Sequence, residues 1–418
     1  MAVLLHPALF AILAAQTQAP AESAPPRPPA ADSADITPTQ PPSSTLQELA
    51  AGAPVEGTEI WRDPFGELGR ASRELEHSTG LKIGFAYTAL FQQVFGGAGN
   101  PSGAGGDVDL LMKWTLLGRD TKDPGALVVN AEYRHEIGHQ PPSALAGEIG
   151  AAIATTNGFG ERPIVVKEAY WSQRLFDGAL RLGIGRMDPE NLVGGHALQS
   201  ANLYFLNKAF SGNPSIAYPG SGLAAAVGWR PNEDWYLAAG IANAYGNTTT
   251  AEFESLFDEW DLFSFGEAGI TPSIDGLGKG RYRVAVWNTA ARDREGEPSR
   301  DDDHGFNLVL DQEFGGNLRG FARYGYSDGA LTGIRNLVEA GGAYEGLLGE
   351  KSLTGAAVAF VDTVGAGRRN ETIGEVFHRI QLSEQSQLTA SVELILDPAD
   401  NAEDDLLGVF SLRFRVAF

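Results

Sequence analysis

The pentapeptide His135-Glu136-Ile137-Gly138-His139 has the H-E-x-x-H form in which two imidazoles hold a zinc ion and the glutamate activates a water. That chemistry needs a helix, because only positions i and i+4 of one helical face bring both rings to one metal. Here the motif follows the alternating stretch LVVNAEYR and runs into Gln140-Pro141-Pro142, so no helix has room to continue. On a strand the two rings share a face but stand about 13 Å apart at roughly 3.3 Å per residue. A secreted zinc hydrolase using His135, Glu136 and His139 is therefore the remote alternative. The other histidines (His6, His77, His196, His304 and His378) show no ligand spacing. The chain has no Cys, which rules out disulfides and thiolate metal sites, and it carries no phosphate loop, nucleophile elbow or calcium-loop spacing. No cofactor and no metal are expected.

The arginines carry more information. Arg134, Arg174, Arg181, Arg281, Arg283, Arg319, Arg323, Arg379, Arg413 and Arg415 all fall on the polar phase of alternating segments. A guanidinium fork presents five donors. Beside an aromatic such as Trp287 or Phe321 it offers a sugar both hydrogen bonds and an apolar ring face. The competing account pairs these arginines with carboxylates of the same phase, among them Glu132, Glu168, Asp311, Glu313, Glu339, Glu375 and Glu393. Acidic runs at Asp301-Asp302-Asp303, with Arg292, Arg294 and Arg300 nearby, and at Asp400, Glu403, Asp404 and Asp405 read as solvated loops. A sharper reading has them bind divalent ions that bridge to anionic lipopolysaccharide.

What must position such residues is a sheet. In the last segment Phe410, Leu412, Phe414, Val416 and Phe418 alternate with Ser411, Arg413, Arg415 and Ala417, a period of two with opposite faces. The pattern recurs in about sixteen runs, near 81–94, 104–117, 125–137, 164–175, 179–187, 222–230, 234–244, 262–271, 280–291, 304–314, 317–327, 335–346, 352–362, 371–382, 386–397 and 406–418. An even number of roughly 10-residue strands is the signature of a transmembrane antiparallel β-barrel. The connections test this independently. Phe176-Asp177-Gly178, Arg230 to Glu233, Gly315-Gly316 and Ser383-Glu384-Gln385 are short, whereas 138–163, 188–221, 245–261, 292–303 and 398–405 are long. Tight turns at one end and long loops at the other are what such barrels show; the connection 272–279 is longer than the rule predicts. A soluble sandwich would need fewer and shorter strands. A charged side chain facing lipid costs about 2–4 kcal/mol at mid-bilayer, so the arginines must face the lumen.

The connection 188–221 is too apolar for a solvent loop, with Leu192, Val193, Leu203, Tyr204, Phe205, Leu206 and Phe210. As the third long loop of a sixteen-stranded porin it is expected to fold into the channel and narrow it, with Asn202, Phe205, Asn207, Lys208 and Phe210 as its constriction residues. Residues 1–21 read as a signal peptide, lacking the usual positive start. Residues 22–62, rich in Pro, Ala and Ser, read as a flexible periplasmic linker; 63–79 form a short helical segment, and 80–418 the barrel. The balance of 31 basic and 53 acidic residues, net −22, argues against a nucleic-acid partner. No apolar run is long enough for a membrane helix.

Several segments in order resemble the carbohydrate-selective porin (OprB-like) family. They are EAYWSQRLFDGALRLGIGRMDP from Glu168 to Pro189, Phe205-Leu206-Asn207-Lys208-Ala209-Phe210 followed by Pro214 and Pro219, Glu267-Ala268-Gly269, Gly280-Arg281-Tyr282-Arg283 with Trp287, and Glu371 to Gln381. Departures are His378, where Tyr is expected, and Asp397-Pro398-Ala399-Asp400 in place of an aromatic-Pro-Gly ending. The resemblance covers about residues 80–418. It implies passive, selective diffusion of small neutral sugars across the outer membrane of a Gram-negative bacterium, through an arginine-rich eyelet. Arg281 and Arg283 are the foremost candidates. Outer-membrane lipid and lipopolysaccharide are the expected surroundings, and a monomer is expected, with a trimer as the alternative. The rival reading is a general or anion-preferring porin.

Overall fold

The computed structural model describes residues 45–52, 60, 65–97, 99–250, 257, 259–292, 299 and 301–418. The expected signal peptide, most of the expected linker, and Arg294 and Arg300 lie outside them. Alternation of apolar and polar residues lets a strand satisfy lipid on one face and a polar interior on the other, and sixteen such strands among the described residues close into one antiparallel sheet. They are β1 (Leu81–Phe95), β2 (Ser102–Leu117), β3 (Gly125–Glu136), β4 (Arg162–Leu175), β5 (Leu180–Met187), β6 (Gly222–Trp229), β7 (Trp235–Asn243) and β8 (Leu262–Ile270). The second half comprises β9 (Gly278–Thr289), β10 (Asp303–Phe314), β11 (Leu318–Ser327), β12 (Ile334–Glu345), β13 (Leu353–Thr363), β14 (Glu371–Gln381), β15 (Ser386–Leu396) and β16 (Leu406–Ala417). No strand boundary departs from the expected one by more than two residues.

Closure comes from β1 pairing with β16, Ala86 opposite Ala417 through Phe95 opposite Gly408. A closed sheet leaves no unpaired backbone edge, which a membrane demands. The long connection after β8 is explained by a two-residue ladder, Ser273–Ile274 against Gly278 and Lys279, which extends that hairpin beyond the wall. Side chains follow the predicted phase. On β16 Phe410 and Leu412 are exposed while Ser411, Arg413 and Arg415 are buried. On β15 Val392 and Leu394 are exposed around a buried Glu393. Among the described residues no helix is long and apolar enough to cross a membrane.

Two helices precede the barrel. α1 (Thr45–Ala51) falls inside the segment expected to be linker, yet Thr45, Glu48 and Leu49 are buried against the inner wall of β1 to β3. α2 (Gly66–Thr79) matches the expected helical segment and ends on a left-handed Gly80. Phe65, at its start, stacks on the last residue, Phe418, which also stacks on Phe85, so α2 is held at the short-turn rim.

Two long connections pack against polar-phase residues of the wall. The connection after β5 buries Leu192, Val193, Leu203, Phe205, Leu206 and Phe210. The connection after β3, which includes α3 (Leu145–Ile149), buries Leu145, Ile149, Ile153 and Phe159. The two are joined by backbone bonds from Asn157 to Leu206 and from Lys208 to Ala154. Sequence reasoning assigned this packing role to the later connection alone.

Candidate functional site

On the wall of β2, β3 and β4 partly open basic groups gather beside buried carboxylates. Asp107 and Asp109 on β2 stand opposite Arg134 and Glu132 on β3. The β3–β4 ladder then breaks twice. Asn130 pairs with Glu168 but Ala131 with Val166, so Lys167 has no opposite residue; a second shift lies between Glu132 and Arg134. An extra residue in a ladder re-aims a side chain. Lys167 and Glu168, adjacent in sequence, therefore both serve the interior.

The result is one carboxylate ringed by three cations. Glu132 accepts from Arg134 Nη2 at 2.8 Å and from Arg162 Nη1 at 2.6 Å, and Lys167 Nζ lies 3.6 Å away. Arg134 Nε is also 3.3 Å from Asp107, and Lys167 is 3.5 Å from Asp188. Asp109 accepts from Asn130 Nδ2 at 3.1 Å. Burying an isolated carboxylate costs several kcal/mol, and this ring of partners offsets that. Side chains of Arg134, Arg162 and Lys167 keep 14%, 28% and 20% of their surface, so their outer donors remain available. Oxygens of Asp107, Asp109 and Glu132 lie within 4.8 Å of one another, a spacing that suits a cation, but the basic side chains already supply the positive charge.

The later connection is fastened to the opposite wall by charged groups. Its backbone donors reach carboxylates: Ala197 N–H to Asp311 at 2.7 Å, Leu206 and Asn207 N–H to Glu375 at 2.8 and 3.0 Å. Its carbonyls meet guanidiniums. Arg323 donates to Gly194, Ala209 and Gly212 at 3.0, 2.7 and 2.7 Å and pairs with Glu339 at 2.9 Å. Arg413 donates to Ala201 and, at 2.9 Å, to Tyr204. Such charge-assisted bonds are the strong ones. His196 lies face to face with Phe321 at 3.7 Å and accepts the Leu198 N–H on Nδ1. Burial and the Arg323 charge hold its imidazole well below the usual range.

The residues singled out from sequence therefore divide into groups. Arg134 is in the charged wall. Arg323 and Arg413 hold the loop and are closed to the lumen. Arg281 and Arg283 pair with Asp311 at 3.3 and 3.1 Å and are buried, because the carboxylate they share also holds Ala197. Trp287, expected beside them at an open surface, is instead buried with Phe263, Ile216 and Val193. Arg174 and Arg181 face each other across β4 and β5 near the short turn, half-buried. Arg319 and Arg379 line a small cavity with Leu198, Tyr204, Glu313 and Glu345, where Arg379 lies over the Tyr204 ring at 5.9 Å.

Within the loop, Asn202 and Lys208 are half-buried, but Phe205 and Phe210 are core. Phe205 packs edge-on against Phe377 at 4.9 Å. Asn207, expected to be available to the pore, is fully buried because it donates to Glu393 at 2.9 Å and caps Ala209.

Sequence reasoning missed Arg162, Lys167 and Asp188. Lys167 lies one step out of the polar phase, and a lysine on the lipid phase was itself the signal of a bulge.

The zinc-like motif has no metal geometry. His135 is on β3, facing outward between Tyr87 and Tyr133 with ring centroids 6.0 and 5.5 Å away. His378 also faces outward and bonds Thr354 at 2.9 Å. Several carboxylates of the acidic loops pair within the protein. Arg368 makes a fork with Asp400 at 2.8 and 2.9 Å, Arg369 pairs with Asp397 and Asp405, and Asp303 accepts from Gly329, Leu331 and Thr332.

The family model described as carbohydrate-selective porin, OprB family, matches residues 126–418. Porin AaxA of Chlamydia muridarum (strain MoPn / Nigg) is 25% identical over 301 residues, covering 70% of this chain and 64% of that protein. Porin AaxA of Chlamydia abortus is 23% identical over 266 residues, covering 62% and 58%. The chain thus spans less than two thirds of the length of these relatives. The high-pH structure of Pseudomonas putida OprB superposes with a TM-score of 0.71 at 17% identity, over 87% of this chain and 100% of that one.

Proposed function

The chain belongs to the carbohydrate-selective porin, OprB family, and from that premise we propose that it is an outer-membrane channel through which small neutral sugars diffuse passively. Solutes meet the wall of β2, β3 and β4 at Arg134, Arg162 and Lys167, whose side chains keep open surface beside Asp188 and the buried carboxylates Asp107, Asp109 and Glu132. The expected constriction role of 188–221 is retained in this reading. Asn202, Tyr204 and Lys208 are the loop residues left partly open, and Arg319 and Arg379 with Tyr204 form a second polar contact toward the short-turn end.

The observation that carries the proposal is the Glu132 ring. Each cation of the wall has a carboxylate within 3.6 Å, so the surface offers donors whose charge the buried carboxylates offset, and its net field is small. A hydroxyl-rich solute exchanges water for such groups without losing a charge's hydration. A free ion must be desolvated and gains little in return. This favours neutral sugars over the anion preference that unpaired arginines would confer, since rings of one sign set ionic selectivity. No covalent step is involved, and the outward band of apolar side chains meets lipid in a single chain.

Reversal-potential measurements in planar bilayers test this. Wild type is expected to discriminate weakly between anions and cations. Lys167→Ala and Arg162→Ala are each expected to shift preference toward cations, and to weaken the reduction of ion current by added sugar. Strong anion selectivity in wild type, or sugar block untouched in both variants, would overturn the proposal.

A further inference from the structure

We propose that α1 is a plug that closes the short-turn side of this path and leaves its seat to open it. The inference rests on the channel reading above. The helix enters at the rim, where a Cβ on Gly52 would come within 3.0 Å of Phe418, and ends at Thr45, which donates to Glu168 on β4. Glu168 is the neighbour of Lys167, so the inner end of α1 lies directly beneath the charged wall. Seven residues span about 10 Å of lumen.

Along that length Leu49 is buried against Gly84 and Leu111. Glu48 pairs with Arg415 at 2.5 Å and accepts weakly from Ser200 of the inward loop at 3.5 Å. Arg415 is held in turn by Thr88 at 3.0 Å. α1 therefore bridges β16, β4 and the loop across the face of β1 to β3.

The Glu48–Arg415 ion pair, the Thr45–Glu168 hydrogen bond and the packing of Leu46 and Leu49 hold a helix too short to persist alone in water. Arg415, Glu168 and Ser200 are buried in the seated state, and water can take over their polar groups once the helix leaves. Seated helix and released coil are thus two discrete states, and the closed one is selected by these contacts. The wall strands and the loop have no such option, since each is fixed by ladders or by several charged bonds.

Absence of native Cys gives a clean test in the full chain reconstituted into liposomes. Leu49→Cys with Gly84→Cys places two thiols where side chains meet in the seated state. The disulfide is expected to form, as read by thiol titration. Sugar-driven swelling of the oxidised protein is then expected to be at least about tenfold slower than after reduction. Glu48→Gln, without the disulfide, is expected to swell several-fold faster than wild type. Failure of the disulfide to form, or equal rates before and after reduction together with an unchanged Glu48→Gln rate, overturns the plug. The ranking of sugars against ions, read on the reduced protein, tests the channel reading separately.

Discussion

Arg323 donates to three carbonyls of the inward loop while pairing with Glu339, and its side chain has no accessible surface. The same residue type in the same phase, at Arg134, keeps part of its surface in the lumen. Phase told which way each arginine points but not whether a loop lies over it, because cover depends on a connection far away in sequence. Removing one partner of a buried ion pair leaves the other uncompensated, at about 3–5 kcal/mol. Arg323→Ala is therefore expected to lower stability in guanidinium unfolding by that order. It should also expose 188–221 to protease while the barrel stays heat-modifiable. Arg323→Lys, which keeps the charge but not the fork, should fall between. Cleavage no faster than in wild type would remove Arg323 as the loop's main fastening.

The strands were legible because period-two alternation is a local property and lipid on one face enforces it strictly. The barrel strands follow from it except β8 and β13, whose alternation is poor and which are placed by their neighbours, and the long turn after β8 follows once its extra ladder is counted. Local order fails in two places. A bulge shifts phase by one residue, so Lys167 read as misplaced when it marks where the ladder gives way. The sequence Thr45-Leu46-Gln47-Glu48 resembles a helix start but sits among prolines and serines, and the partners that stabilise it, Arg415 and Glu168, are distant. The lipid face makes its own prediction. Val358, at mid-strand of β13, is 53% exposed. Val358→Arg is expected to cost about 2–4 kcal/mol of barrel stability, measured by reversible unfolding in lipid vesicles. Val358→Leu should cost little. Equal tolerance of both would contradict the assignment of that face to lipid.

At the scale of the whole molecule, three inserted pieces share one lumen: the connection after β3, the connection after β5, and α1. The first two are joined to each other and fixed to the wall by Glu371, Glu375, Arg323 and Arg413. The partly open basic groups of the β2 to β4 wall, Arg134, Arg162 and Lys167, line the proposed route. The net charge of −22 belongs to the chain, but the route itself has basic and acidic groups interleaved, so overall acidity does not set what passes. Liposome swelling by the refolded full chain, with neutral mono- and disaccharides compared against charged solutes of similar size, tests this most directly. The account predicts faster entry of the sugars. Faster entry of anions, or no entry through protein verified as folded and freed of its plug, would contradict it.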